Sequence, residues 1–290
     1  MCNETNLAEW AAKTALTRRQ FGAAGALSAA AACTPMAGDT RTPAATGSIA
    51  MRKVEFSTPD GTLDGEFYAD ASSPAPGIIF WPDIAGIRPA NRQMAQRLAE
   101  AGYAVLLANP YYRSVKGQQF SDFADFAGND GFKKVGPWRE KLSVQGLMTD
   151  HRAAAGWLMK QDAVDTARGM ASQGYCMTGS AGIIGPAAAP EIRAGCSFHG
   201  GGLVSDKPDS PHTLFKDGKH YLVAIAENDD AKSPGDKTAL KEAAAKAGAD
   251  AEIEVYPADH GWTVPDSPSY DAPAAERAWS RMLAIYKSAL

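Results

Sequence analysis

The chain has 290 residues, 45% hydrophobic and 21% charged, the balance of a globular protein with an apolar core. Its net charge of −4 offers no basic surface, which argues against nucleic acid as a partner. Cys2, Cys33, Cys176 and Cys196 are too few to staple a chain of this length, and the body has no strongly apolar run of membrane-spanning length.

Residues 1–48 stand apart from the rest. Thr17-Arg18-Arg19-Gln20-Phe21 precedes an uncharged Ala/Gly-rich run over residues 22–32, and residues 38–49 have a linker composition. A twin arginine, a weakly apolar stretch and then small residues resemble a twin-arginine export signal, so a periplasmic location is expected. Cys33, after three alanines, is a candidate lipid-attachment site, although the usual leucine of a lipoprotein box is missing. The fold is accordingly sought in residues 49–290, as one domain.

Two β-rich runs, 51–58 and 63–69, flank the turn signal Pro59-Asp60-Gly61 and predict an antiparallel hairpin. Residues 77–81 form a short apolar run, a buried strand ending in the loop Pro82-Asp83-Ile84-Ala85-Gly86. Helical spacing over 91–101 and a strand over 103–108 follow. Residues 110–141 form a long, aromatic-rich connection, either a binding wall or an excursion with its own small core. A helix over 143–159, a strand leading to a sharp turn at Cys176, and an Ala-rich helix that begins at once come next. Further strands are read at 193–199, 221–226 and 251–256, with helices at 238–247 and from Asp271 to about 288. Alternating strands and helices imply a mostly parallel, doubly wound sheet with the hairpin at one edge.

Three strand ends carry reactive groups. Cys176 lies in Gly174-Tyr175-Cys176-Met177-Thr178-Gly179, a strand–turn–helix passage similar to the nucleophile elbow G-x-S-x-G, with Thr178 where the second glycine is expected. Two loops, Glu227-Asn228-Asp229-Asp230 and Asp259-His260-Gly261, follow the last two strands. The order nucleophile, acid, histidine is that of an α/β-hydrolase. A histidine is needed to take the thiol proton and return it to the leaving alcohol, and a carboxylate to fix its tautomer. Asp229 and Asp230 are both candidates for that carboxylate. The N–H groups of Met177 and Ile84 are the natural oxyanion donors. His151 and His220 read as structural; His199, at a strand end before Gly200-Gly201-Gly202, either packs structurally or lines the rim; and no three residues have metal-ligand spacing.

Gly174-Tyr-Cys-Met177, the Asp83–Arg88 loop, Asn109-Pro-Tyr-Tyr-Arg113, Ser197-Phe-His-Gly200 and His260-Gly-Trp262 resemble the dienelactone hydrolase family over about residues 50–290. The resemblance implies an α/β-hydrolase that cleaves lactones or other activated esters without metal or cofactor. It makes Cys176 the nucleophile, His260 the base, Asp229 the acid, and Ile84 and Met177 the oxyanion donors. It matches Arg113 to an arginine that holds a substrate carboxylate, and Asp83 to a glutamate that contacts the resting thiol. The alternative is a thiol redox-sensing or binding protein on the same scaffold, for which Cys196 would be the resolving partner.

Overall fold

The computed structural model describes residues 49–290; the twin arginine and Cys33 lie outside the described residues. Strands β1 (Ile49–Thr58) and β2 (Gly61–Asp70) form the antiparallel hairpin. β2 then pairs antiparallel with β4 (Ala104–Ala108), and β3 (Gly77–Trp81) pairs parallel with β4. β5 (Met170–Tyr175), β6 (Ile192–Phe198), β7 (His220–Ala226) and β8 (Asp250–Tyr256) extend the sheet in parallel. The strand order is β1-β2-β4-β3-β5-β6-β7-β8. β3, β4 and β5 are buried at every residue, which is why they read as continuous apolar or small-residue runs rather than alternating ones.

Eight helices surround the sheet among the described residues: α1 (Pro89–Glu100), α2 (Phe123–Gly128), α3 (Gly131–Arg139), α4 (Val144–Leu158), α5 (Ala181–Ala188), α6 (Glu227–Lys232), α7 (Asp236–Ala247) and α8 (Ala272–Ala289). The period of two along the strands sorts the core. Ile78 and Phe80 pack with Leu98 of α1 and Met282 of α8 on one face, while Ile79 and Trp81 pack with Ala154 and Leu158 of α4 on the other. Caps set the helix starts: Ser143 accepts from the Gly146 N–H, and Asp271 accepts from the Ala274 N–H. No helix among the described residues is long and apolar enough to cross a membrane.

Two expectations need correction. The helix after the cysteine does not begin at once: Cys176–Thr178 makes a 3₁₀ turn, and α5 starts at Ala181. The stretch after β7, read as a loop, is the short helix α6, whose first turn holds Glu227, Asp229 and Asp230. Acidic side chains suit the positive end of a helix, so the run that looked like a polar loop is a helix start.

Candidate active site

Cys176 directly follows β5 with φ of +55°, in the left-handed region that costs a side chain on the order of 1 kcal/mol or more. Its neighbours impose that conformation. A Cβ on Gly174 would lie 2.0 Å from the Thr178 carbonyl oxygen, so the turn closes only over glycine. Thr178 Oγ1 accepts from the Tyr175 N–H at 3.1 Å and lies 2.9 Å from the carbonyls of both Trp81 and Pro82, which share its one proton. The side chain that replaces the expected glycine therefore fastens the elbow to the end of β3. The Cys176 carbonyl accepts from Gly179 and Gly201, which closes the turn from the other side.

His260 follows β8 and is buried. One short helix fixes it twice: Asn228 Oδ1 accepts its backbone N–H at 2.9 Å, and Asp229 Oδ2 lies 2.5 Å from its Nδ1. Asp230 turns away and pairs with Lys237 at 3.1 Å. Nε2 of His260 has no oxygen or nitrogen partner; the ring is coupled to Cys176 instead. Burial alone would pull its pKa down. The charge of the Cys176 sulfur and the hydrogen bond to Asp229 outweigh burial and push it up to about 10. The pairing therefore favours the protonated form of the ring, which faces sulfur.

His199 packs edge-on against His260, with ring centroids 4.9 Å apart, and its Nε2 lies 2.7 Å from Thr263 Oγ1. Burial, then the neighbouring His260 charge, hold it well below the usual histidine range, so it is a neutral wall for a charged ring. Its place at a strand end beside the glycine run Gly200-Gly201-Gly202 allows a rim position, but no local pattern indicates the contact with His260.

A cavity of about 470 Å³ opens on Cys176 and His260, with Ile84 and Met177 in its lining. Leu142, Val144, Leu147 and Val204 make an apolar wall, and Arg139, Lys207 and Asp209 supply charge. Met177 is the second residue of the helical turn Cys176–Thr178, where the first N–H groups lack intrahelical acceptors. The peptide that carries the Ile84 N–H is oriented through the Asp83 carbonyl, which accepts from the Gly86 N–H at 3.0 Å, and the next peptide is held by Tyr111 Oη, which donates to the Ile84 carbonyl at 2.7 Å. Most aromatic rings of the 110–141 segment fill its own small core: Phe126 packs against Phe120, Phe123 and Phe132. Only the end of the segment, from Arg139, reaches the cavity.

The two specificity candidates are placed differently. Arg113 is absent from the lining of this cavity; it forks onto Asp150 at 2.9 Å, pairs with Asp60 at 2.6 Å and covers the Tyr112 ring. Asp83 lies beside a small void shared with Cys176, His199 and His260, but both its oxygens are held by Arg88 at 2.7 and 2.8 Å. Neither Cys176 nor Cys196 is in a disulfide. Among the described residues, no cluster of His, Cys, Asp or Glu is built to hold a metal ion.

The eight-stranded, mostly parallel sheet with its antiparallel hairpin and surrounding helices is the α/β-hydrolase fold. Within that class the chain belongs to the dienelactone hydrolase family, whose profile matches residues 63–290, and it is a hydrolase. It is 29% identical over 218 residues to a carboxymethylenebutenolidase-like protein of Yersinia pestis, covering 73% of this chain and 78% of that one. A carboxymethylenebutenolidase-like protein of Methylorubrum extorquens is 26% identical over 287 residues, 96% and 95% of the two chains. The crystal structure of a dienelactone-hydrolase-like protein of Klebsiella pneumoniae superposes with a TM-score of 0.68 at 22% identity, over 83% of this chain and 99% of that one.

Proposed function

We propose that the chain hydrolyses lactones or other carboxylic esters through an acyl-cysteine intermediate, with Cys176 as nucleophile, His260 as acid and base, and Asp229 as the acid that holds the ring. The observation that carries this reading is the His260 ring, 2.5 Å from Asp229 on one side and coupled to the Cys176 sulfur on the other. The sulfur attacks the ester carbonyl carbon, a C–S bond forms, and the carbonyl electron pair moves onto oxygen. The N–H groups of Ile84 and Met177 receive that oxyanion, each contributing roughly 3 kcal/mol. Collapse breaks the C–O bond to the alcohol, and His260 gives its proton to the departing oxygen. Water then attacks the thioester, His260 takes its proton, and the thiolate leaves. In a lactone the alcohol stays tethered to the acyl group, so one product results.

The polar features of the cavity bear on substrate choice. With Arg113 engaged by Asp150 and Asp60, a substrate carboxylate in the cavity would meet Arg139 and Lys207. The redox-sensing alternative draws less support. Cys196 is enclosed within β6, and burial pushes its thiol up to about 12, the reverse of a resolving cysteine. Residues 1–48 are proposed to direct export to the periplasm, which changing Arg18 and Arg19 to lysine and assaying periplasmic fractions will test.

The decisive experiment is hydrolysis of a p-nitrophenyl ester panel and a dienelactone, with and without iodoacetamide, in the protein and in Cys176→Ala. Turnover that disappears on alkylation of Cys176 and in the variant is expected. Full activity in Cys176→Ala would refute the mechanism.

A further inference from the structure

Arg88 is fully buried at the start of α1 and is not among the residues lining the main cavity. Its guanidinium is saturated. Nη1 and Nη2 fork onto Asp83 at 2.7 and 2.8 Å, and Nε and Nη2 fork onto Asp266, both at 2.8 Å. The remaining Nη1 proton lies between Asn91 Oδ1 at 3.1 Å and the Gly86 carbonyl at 3.2 Å. Asp83 immediately precedes Ile84 and accepts the Ala85 N–H through Oδ1 at 3.0 Å. Asp266 belongs to the loop after His260, and its Oδ2 also accepts the Phe123 N–H at 2.9 Å, at the first residue of α2. One side chain thus joins the loop carrying Ile84, the loop after His260 and the aromatic segment.

We infer that Arg88 is a positioning residue that sets the distance of the Ile84 N–H from the Cys176 sulfur by clamping the Ile84 loop to the Asp266 loop. The inference rests on the hydrolase reading. His260 has independent anchors in Asn228 and Asp229, so loosening the clamp moves the oxyanion donor more than the histidine. A lysine keeps the charge but cannot make two forks at once.

Two reactions of the same sulfur separate the roles. Acylation by a p-nitrophenyl ester develops an oxyanion; alkylation by iodoacetamide does not. In Arg88→Lys, the acylation rate constant is expected to fall about 10²-fold with KM nearly unchanged, while alkylation stays within about twofold of the parent. Asp266→Asn retains an acceptor for Phe123 and loses one charged fork; it is expected to shift acylation in the same direction by about tenfold, and it decides the matter if Arg88→Lys does not fold. Acylation at the parent rate in a folded variant, or acylation and alkylation falling together, would overturn the clamp. Absence of Cys176-dependent turnover in the unsubstituted chain would instead overturn the hydrolase reading, and the clamp with it.

Discussion

Thr178 shows how one side chain can replace a glycine and add a tether. A glycine at that position would relieve crowding but leave the Tyr175 N–H without its acceptor and the elbow without its tie to Trp81 and Pro82. Thr178→Val keeps the shape and loses the hydroxyl; it is expected to destabilise the fold by about 2 kcal/mol, because a buried N–H is left unpaired, and to slow acylation. Urea unfolding midpoints and pre-steady-state bursts check both. The partner of that elbow makes a second residue-level prediction. Because Cys176 is the first of the influences raising the His260 pKa, removing the sulfur should return the ring toward the ordinary histidine range. Ring ¹⁵N shifts should show His260 protonated at pH 8 in the parent and substantially neutral in Cys176→Ala; identical titrations would mean the sulfur does not set its charge.

At the scale of elements, the β1–β2 hairpin and the 110–141 segment are joined to α4 by one polar cluster. Arg113 links Asp60 in the hairpin turn to Asp150 on α4, and Tyr112 Oη donates to Asp150 at 2.6 Å. Arg113→Ala leaves the buried Asp150 carboxylate short of a cation and is expected to cost about 3 kcal/mol of stability. Its KM for anionic esters should stay unchanged, whereas Arg139→Ala should raise KM for anionic esters and spare neutral ones. Steady-state kinetics with succinyl and acetyl p-nitrophenyl esters separate these outcomes; a raised KM in Arg113→Ala alone would return the carboxylate to Arg113. The elements themselves were largely legible. Short apolar runs at 77–81 and 103–108 marked β3 and β4, and the helices read from Ser143 and Asp271 begin one residue beyond them, with those two side chains as caps. Helix α6 was not, because at six residues it is too short to show a periodicity, and its acidic first turn is also what a polar loop looks like.

Across the whole molecule, legibility follows sequence distance. Cys176, Asp229 and His260 could be listed because each directly follows a strand, and a parallel sheet brings such positions to one rim. The contact of His199 with His260 and the Arg88 fork onto Asp266, 178 positions away, depend on how loops cross above that rim, which no local pattern encodes. The same long-range packing gives the fold an acid weakness. His151 bridges α4 to the sheet: its Nδ1 meets the Leu147 carbonyl at 2.6 Å, and its Nε2 accepts from Trp81 Nε1 at 3.0 Å beside Ser172. Burial, opposed by the Leu147 carbonyl, pulls its pKa down to about 4. A depressed histidine is neutral in both folded and unfolded chains above about pH 6.5; below that the unfolded chain takes up the proton first. The His151 contribution is therefore intact above pH 6.5 and lost as pH falls toward 4, by about 3 kcal/mol. His199, also depressed, adds to the loss, while Asp150, raised by burial despite Arg113, works in the opposite sense. Urea midpoints between pH 7.5 and 4.5 should fall steeply in the parent. In His151→Gln the starting stability should be lower but the pH slope shallower, because one buried proton site is gone; parallel slopes would mean that other groups set the acid limit.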